Sequence, residues 1–250
     1  MRRFFIDPTA VNGTIVTLRG AEAHHLGRVL RLKTGARVCL FDGTGAQYEA
    51  AVQKSDRDTV TLTILATVIA AQQQPAAELH LGQGLLKGKK MDLVVQKATE
   101  LGIAAIHPFL SRHAAVRLPE AEKESRWQRI ALEACKQSKR PLPPRCHPVR
   151  EFAALLETAQ PFDQKILFWE QPGGVSLHDL FSPESPLSGS VFFLVGPEGG
   201  FSQTEHQTAI AAGFTAVTLG PRILRAETAA IAAAAILQFL LEHRPGPALP

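Results

Sequence analysis

Val191-Phe192-Phe193-Leu194-Val195-Gly196-Pro197-Glu198-Gly199-Gly200-Phe201-Ser202 is the stretch on which the fold turns. Five apolar residues without a charge predict a strand buried on both faces, as in the middle of a parallel sheet. The chain then runs straight into three glycines, a proline and an acid. Ser202-Gln203-Thr204-Glu205 behind them reads as a capping box, in which hydroxyl and carboxylate satisfy the free amides that open a helix, and Gly213 closes that helix. Strand, glycine loop and capped helix form a unit of α/β architecture, where ligands sit beyond the carboxyl ends of strands. Glycines there let the backbone approach a ligand closely. No Lys-Ser/Thr pair follows, so a neutral or cationic nucleoside suits the loop better than a triphosphate. A plain tight turn is the alternative, and periodicity does not decide between them.

The alternation extends on both sides. Strands are predicted at residues 79–83, 103–109, 165–169 and 216–219. Met91, Val94, Val95, Ala98 and Leu101 recur at helical spacing until Gly102 stops the helix. Trp127, Ile130, Ala131 and Ala134 repeat the pattern in a basic helix, and a last helix runs from about residue 227 to 242. This order predicts a mainly parallel sheet with helices on both faces. Residues 1–70 differ. Short runs at 4–6, 14–18, 37–41, 48–52 and 59–65 are β-branched or alternating, with one helical turn near 22–29, and predict a small barrel. The expected organisation is a β domain over 1–70, a polar linker over 71–77 and an α/β domain over 78–250.

With 45% hydrophobic and 20% charged residues in 250, the chain is globular rather than disordered. The apolar run 229–241 is too short and alanine-rich to span a bilayer, and the N-terminus lacks the apolar core of a signal peptide, so a cytoplasmic protein is expected. Cys39, Cys135 and Cys146 show no paired spacing. His107, His113 and the Cys146-His147 pair read as scattered residues, and no metal is expected.

Charge is unevenly placed. Residues 111–150 hold ten Lys or Arg against four Glu, a balance of +6 within a chain total of +4. Arg2, Arg3, Arg19, Arg28, Arg31 and Lys33 form a second cluster. Two basic segments on a nearly neutral background point to a polyanion, although either alone reads equally as a solvated face.

Two further segments bear on chemistry. Gly82-Gln83-Gly84-Leu85-Leu86-Lys87-Gly88-Lys89-Lys90 imitates nucleotide-binding loops, but its spacings fit neither the dinucleotide nor the phosphate-loop pattern, so it reads as a strand end and basic loop. Leu219-Gly220-Pro221-Arg222-Ile223-Leu224-Arg225-Ala226-Glu227-Thr228 follows a strand and opens a helix. Its arginines and glutamate either handle charge on a ligand or merely cap the alanine-rich helix.

Taken together and in this order, Leu194 to Ser202 and Leu219 to Ala229 resemble the RsmE family of ribosomal RNA uracil-N3 methyltransferases, within the SPOUT superfamily. Lys90-Met91-Asp92-Leu93-Val94-Val95-Gln96-Lys97-Ala98-Thr99-Glu100-Leu101-Gly102, His25-Leu26-Gly27-Arg28-Val29-Leu30-Arg31, Arg126-Trp127 and Gln137-Ser138 are similar to it as well. The resemblance spans nearly the whole chain. At Ser111-Arg112-His113 the sequence departs from relatives that commonly carry Glu-Arg there.

The resemblance implies a PUA-like β-barrel that grips RNA, a SPOUT-type α/β domain ending in a deep trefoil knot, and a homodimer. It implies S-adenosylmethionine bound in three loops. Phe168, Trp169 and Glu170 form the first; Gly196, Pro197, Glu198, Gly199 and Gly200 the second. Leu219, Gly220, Ile223, Leu224 and Arg225, with Ala226, Glu227 and Thr228, form the third. Arg225 is expected to stabilise a developing uracil anion, and Glu198 either to orient the base or to favour the sulfonium. RNA contacts are expected from Arg2, Arg3, His24, Arg28 and Arg31 on the barrel. On the α/β domain they are expected from Lys89, Lys90, Arg126, Lys136, Lys139 and Arg140. The expected partner is 16S ribosomal RNA or the small subunit. A non-catalytic RNA-binding assembly factor and a related enzyme acting on transfer RNA or a ribose hydroxyl are the alternatives.

Overall fold

The computed structural model describes residues 1–68, 78–114, 121–181 and 187–242. The expected linker, 71–77, lies outside them. Two compact units emerge: Met1–Gln73 with Leu132–Pro143, and Gln74–Ala131 with Pro144–Pro250.

The first unit is built on a six-stranded sheet. Its strands are β1 (Arg2–Phe5), β2 (Val11–Asn12), β3 (Ile15–Arg19), β4 (Arg37–Phe41), β5 (Gln47–Ser55) and β6 (Thr59–Val68), in the order β1-β4-β5-β6-β3-β2. Only β1 and β4 run parallel; the remaining pairs are antiparallel. Alternation along the strands sends Phe4, Val16, Leu18, Val38, Leu40, Val52, Val60 and Leu62 into one core. A helix, α1 (Gly20–His24), and a π-helical turn (His25–Val29) add Ala23 and Leu26 to it.

Leu132–Pro143 joins this unit through specific ties that its distance along the chain conceals. Arg3 donates to the carbonyls of Lys139 at 2.7 Å and Arg140 at 3.2 Å, satisfying acceptors left at a helix end. The same guanidinium lies 5.0 Å over the Phe41 ring. Lys136 pairs with Glu22 and, at 2.6 Å, with Glu133.

The second unit has an eight-stranded, all-parallel sheet. Its strands are β7 (Leu79–Gly84), β8 (Ala105–Leu110), β9 (Arg145–Cys146), β10 (Arg150–Glu151), β11 (Gln164–Phe168), β12 (Val175–Ser176), β13 (Val191–Val195) and β14 (Thr215–Thr218). Their order is β10-β8-β7-β13-β11-β14-β12, with β9 beside β8. The helices are α2 (Lys90–Glu100), α3 (Ala121–Ser138), α4 (Phe152–Thr158), α5 (Leu177–Leu180), α6 (Gln203–Ala211) and α7 (Ala226–Glu242). α3 divides between the units at Ala131.

Strand β13 is central, and all five of its residues are buried. Two cores lie about the sheet. In one, Phe193 and Val195 join Met91, Val94, Val95, Ala230, Ala233 and Leu237; in the other, Phe192 and Leu194 join Phe109, Leu155, Leu167 and Phe201. Alternate side chains of one strand thus serve the two cores, which explains its unbroken apolar run. The capping box at Ser202 forms as the sequence indicates, and Gly213 adopts a positive φ at the end of α6.

Strands β9, β10 and β12, of two residues each, and the short helices α4 and α5 are not anticipated by periodicity, because such lengths carry no pattern. Among the described residues no helix is long and apolar enough to cross a membrane, and no cluster of three His, Cys, Asp or Glu forms a metal site.

His107 is buried in the second unit, stacked on His147 with centroids 4.1 Å apart, its Nε2 3.1 Å from His80 Nδ1. Burial first, then the charges of His147, His80, Arg150 and Arg145, push its imidazole down from 6.5 to about 3. The folded protein therefore holds the ring neutral while an unfolded chain protonates it below 6.5. Stability falls as pH drops from near 6.5 toward the folded value, by roughly 2 kcal/mol at pH 5 from this group. Chemical denaturation at pH 7.5 and 5 is expected to show this loss, and a His107→Phe variant to show a smaller one.

Candidate functional site

Strands β13, β11 and β14 are immediate neighbours. Their carboxyl ends, Val195, Phe168 and Thr218, all border one cavity of about 280 Å³. The segments leaving those ends complete it: Trp169 and Glu170, then Gly196 to Phe201, then Leu219 to Ala226 at the start of α7. A volume near the lower end of ligand pockets, about 300 Å³, fits a nucleoside-sized molecule. Parallel strands with similar register necessarily bring their following loops to the same edge, which is why three segments distant in sequence meet here.

The glycine loop is held from below by β7. Leu194 stands opposite Gly82, and Val195 opposite Gln83. A Cβ on Gly84 would come within 2.5 Å of the Pro197 nitrogen, so only glycine admits the loop at that point. Gln83, fully buried, donates to the carbonyls of Gly84 at 2.9 Å and Gly196 at 3.3 Å. The loop closes as a turn in which the Gly200 amide donates to the Pro197 carbonyl at 2.9 Å, with Gly200 at φ +67°.

Charge is arranged on the cavity wall. Glu198 accepts from the Lys87 amide at 3.1 Å and from Lys90 Nζ at 3.0 Å. Burial works against its ionisation, but the hydrogen bonds from Lys90, Lys87 and its own amide prevail and hold it below the ordinary carboxylate value. Lys90 Nζ also lies 3.9 Å from Glu227 Oε2. Glu205, in the capping box, accepts from the Arg112 amide at 2.9 Å and so ties the divergent Ser111-Arg112-His113 segment to α6.

The expected cofactor loops are brought together nearly whole. Phe168, Trp169, Glu170, Gly196, Pro197, Glu198 and Gly200 line the cavity. So do Leu219, Gly220, Ile223, Leu224, Arg225, Ala226 and Glu227. Gly199 and Thr228 are not in the lining. Gly199 packs against His113, whose Nδ1 is 3.1 Å from the Gly199 carbonyl, and Thr228 is exposed beyond it in the first turn of α7. Lys90, expected among the RNA contacts, also lines the cavity and pairs with Glu198 there. The signal was present in the sequence: Lys90 opens the helix that follows β7, and strand-end positions are where ligand residues gather. Phe201 also lines the cavity, although sequence reasoning did not assign it there, and so does Arg222, which the sequence placed within the third loop.

The expected RNA contacts divide. Arg2, His24, Arg28, Arg31, Lys89, Arg126 and Lys139 are exposed, Arg126 while paired with Asp92. Arg3 and Lys136 are corrected to internal roles: the first holds a helix end, and the ammonium of the second is covered by Glu22 and Glu133. Arg140 is half-buried, and burial lowers its pKa.

A parallel α/β unit with a nucleoside-sized cavity at three adjacent strand ends, carried in one chain with a small β unit, is the build of a two-domain group-transfer enzyme. Residues 72–238 match the family model for the RNA methyltransferase domain, and residues 18–65 that for the RNA methyltransferase PUA domain. Ribosomal RNA small subunit methyltransferase E of Bacillus subtilis is 30% identical over 97% of this chain and 98% of its own. The protein of that name from Synechocystis sp. is 35% identical over 96% of this chain and 78% of its own. The crystal structure of a ribosomal RNA small subunit methyltransferase E from Neisseria gonorrhoeae bound to S-adenosyl methionine aligns with a TM-score of 0.84 at 34% identity, covering 96% of this chain and 98% of that one. The chain belongs to the ribosomal RNA small subunit methyltransferase E family.

Because the loop rests on a bare Gly84, Gly84→Ala is expected to lower stability by about 1–3 kcal/mol through overpacking. Thermal and denaturant unfolding of the variant against the parent protein check this.

Proposed function

We propose that this chain transfers a methyl group from S-adenosylmethionine to N3 of a uridine in 16S ribosomal RNA of the small subunit. The observation that carries the reading is the convergence of β13, β11 and β14 on one cavity, lined by the segments that resemble the family's cofactor loops. The cavity's make-up fits that ligand. Phe168, Leu219 and Leu224 offer apolar surface, glycine backbone offers close amides and carbonyls, and Glu198 and Glu227 offer negative charge to a cation. When bound, S-adenosylmethionine supplies an electrophilic methyl group on a sulfonium.

The chain's part is to hold, orient and exclude. Uracil N3 lies on the pairing edge, so the target base must be displaced from any helix before it reaches the cavity. Alignment of N3 with the methyl group contributes roughly 7–11 kcal/mol through proximity and orientation. Arg225 borders the cavity just before α7, and its role in this reading is to stabilise the developing uracil anion. Its carbonyl accepts from the Ala229 amide at 2.8 Å, so truncating the side chain leaves the helix start in place. Glu198, already tied to Lys90 and Lys87, serves to shape the charge of the wall.

Exposed Arg2, Arg28 and Arg31 in the first unit and Lys89 and Arg126 in the second supply phosphate contacts. A homodimer and a trefoil knot belong to the same reading. Ile223, Ile236 and Phe239 leave apolar surface exposed on and before α7 for a second copy. The entry of β13 between the earlier strands β7 and β11 supports the threading. A ribosomal substrate places the protein in the cytoplasm.

Isothermal titration is expected to show S-adenosylmethionine binding, and mass mapping of 16S ribosomal RNA from a deletion strain to show one missing N3-methyl group. A protein that binds no S-adenosylmethionine is an RNA-binding factor instead. Arg225→Ala is expected to lower kcat by about 10²–10³-fold with cofactor affinity intact; full turnover in that variant removes Arg225 from the mechanism. RNA affinity is expected to fall steeply with salt, with log Kd rising linearly in log salt concentration. A flat response defeats the phosphate contacts.

A further inference from the structure

Three carboxylates line the cavity, and they are not equivalent. Glu170 is exposed. Glu198 has its Oε1 held by the Lys87 amide and Lys90 Nζ. Glu227, in the first turn of α7, has a side chain only 12% exposed. Its Oε2 is shielded from solvent and accepts no hydrogen bond. The Lys90 ammonium lies 3.9 Å away, too far to donate to it. A buried acceptor without a donor is costly, and the Glu227 carboxylate lines the cavity, where a ligand can bring one.

The reaction proposed above has one donor that must be given up: the N3–H of the uracil. We propose that Glu227 is the catalytic base that takes this proton, an assignment that rests on the methyltransferase reading and deepens it. As the N3 lone pair forms its bond to the methyl carbon, the carbon–sulfur bond breaks and its electron pair stays on sulfur. The N3 proton passes to the Glu227 carboxylate and is later released to solvent. The sulfonium loses its charge, and the methylated uracil leaves neutral.

The surroundings suit the role. Lys90 from α2, and Arg222 and Arg225 from the β14–α7 segment, bring positive charge to the wall, while Glu198 and Glu170 bring negative charge. Glu227 itself stands in the first turn of α7. Among the described residues the lining contains no histidine to compete as base.

Glu227→Gln keeps the shape and removes the proton acceptor. The full-length protein is assayed with unmodified 16S ribosomal RNA, with S-adenosylmethionine and RNA affinities measured separately by titration. The expected result is a fall in kcat of about 10²–10⁴-fold with RNA affinity unchanged, and a loss of S-adenosylmethionine affinity far smaller than the loss of kcat. The acid limb of the wild-type kcat profile, where the base protonates, is expected to vanish in the variant. RNA carrying 5-fluorouridine at the target has a more acidic N3 and is expected to restore part of the lost rate in the variant. Glu227→Asp retains a base at a longer reach and falls between the two; it provides the same reading if the glutamine variant does not fold. Full kcat in Glu227→Gln, or a loss confined to S-adenosylmethionine affinity, overturns the assignment and leaves the methyltransferase reading standing. Wild-type protein that binds no S-adenosylmethionine and methylates no RNA overturns both.

Discussion

The Pro197 ring and nitrogen occupy the space in which any residue but glycine at position 84 would carry its Cβ. On that contact the rest of the catalytic unit depends. It sets how closely the end of β7 supports the loop after β13, and Gln83 reinforces it by donating to the carbonyls on either side. Buried amides without water must find such partners, so the contact is both steric and polar. With the loop held there, Glu198 reaches the Lys87 amide and Lys90, and α2 becomes part of the wall.

The wall is charge-balanced rather than charge-neutral by omission. Lys90 stands between Glu198 at 3.0 Å and Glu227 at 3.9 Å, and satisfies only the first by hydrogen bonding. That asymmetry separates two carboxylates the sequence presents as alike. One is committed to structure; the other keeps a buried oxygen open. Environments that set similar groups apart are how a site assigns them different tasks. Basic residues divide by the same logic: Arg3 and Lys136 are consumed inside the first unit, while Arg2, Arg28 and Arg31 remain exposed.

The linear chain announced much of this. Residues 191–195 form a strand at the bounds their composition suggested, Ser202 and Glu205 form their capping box, and the loops after residues 168, 195 and 218 meet in one cavity. Gly82 and Gly84 were legible as a strand end but not as a seat for another loop, because nothing local reveals which strand lies beside β7. Lys90 was read as one cation among many, since a lysine's charge is visible in sequence and its partners are not. Gly199 was drawn into the site by its neighbours, yet it faces His113. The two-residue strands were invisible for want of a period.

The sequence by itself determined the element types, the parallel character of the sheet and the positions of the loops, because hydrophobic period, caps and glycines are properties of short segments. Only the tertiary structure decided that β11 lies between β13 and β14, that Leu132–Pro143 belongs with the N-terminal unit, and that Glu227 rather than Glu198 keeps a buried oxygen without a hydrogen bond. Strand order, burial and ion pairing are relations between residues far apart in the chain. They are settled when whole faces pack, and no local pattern carries them.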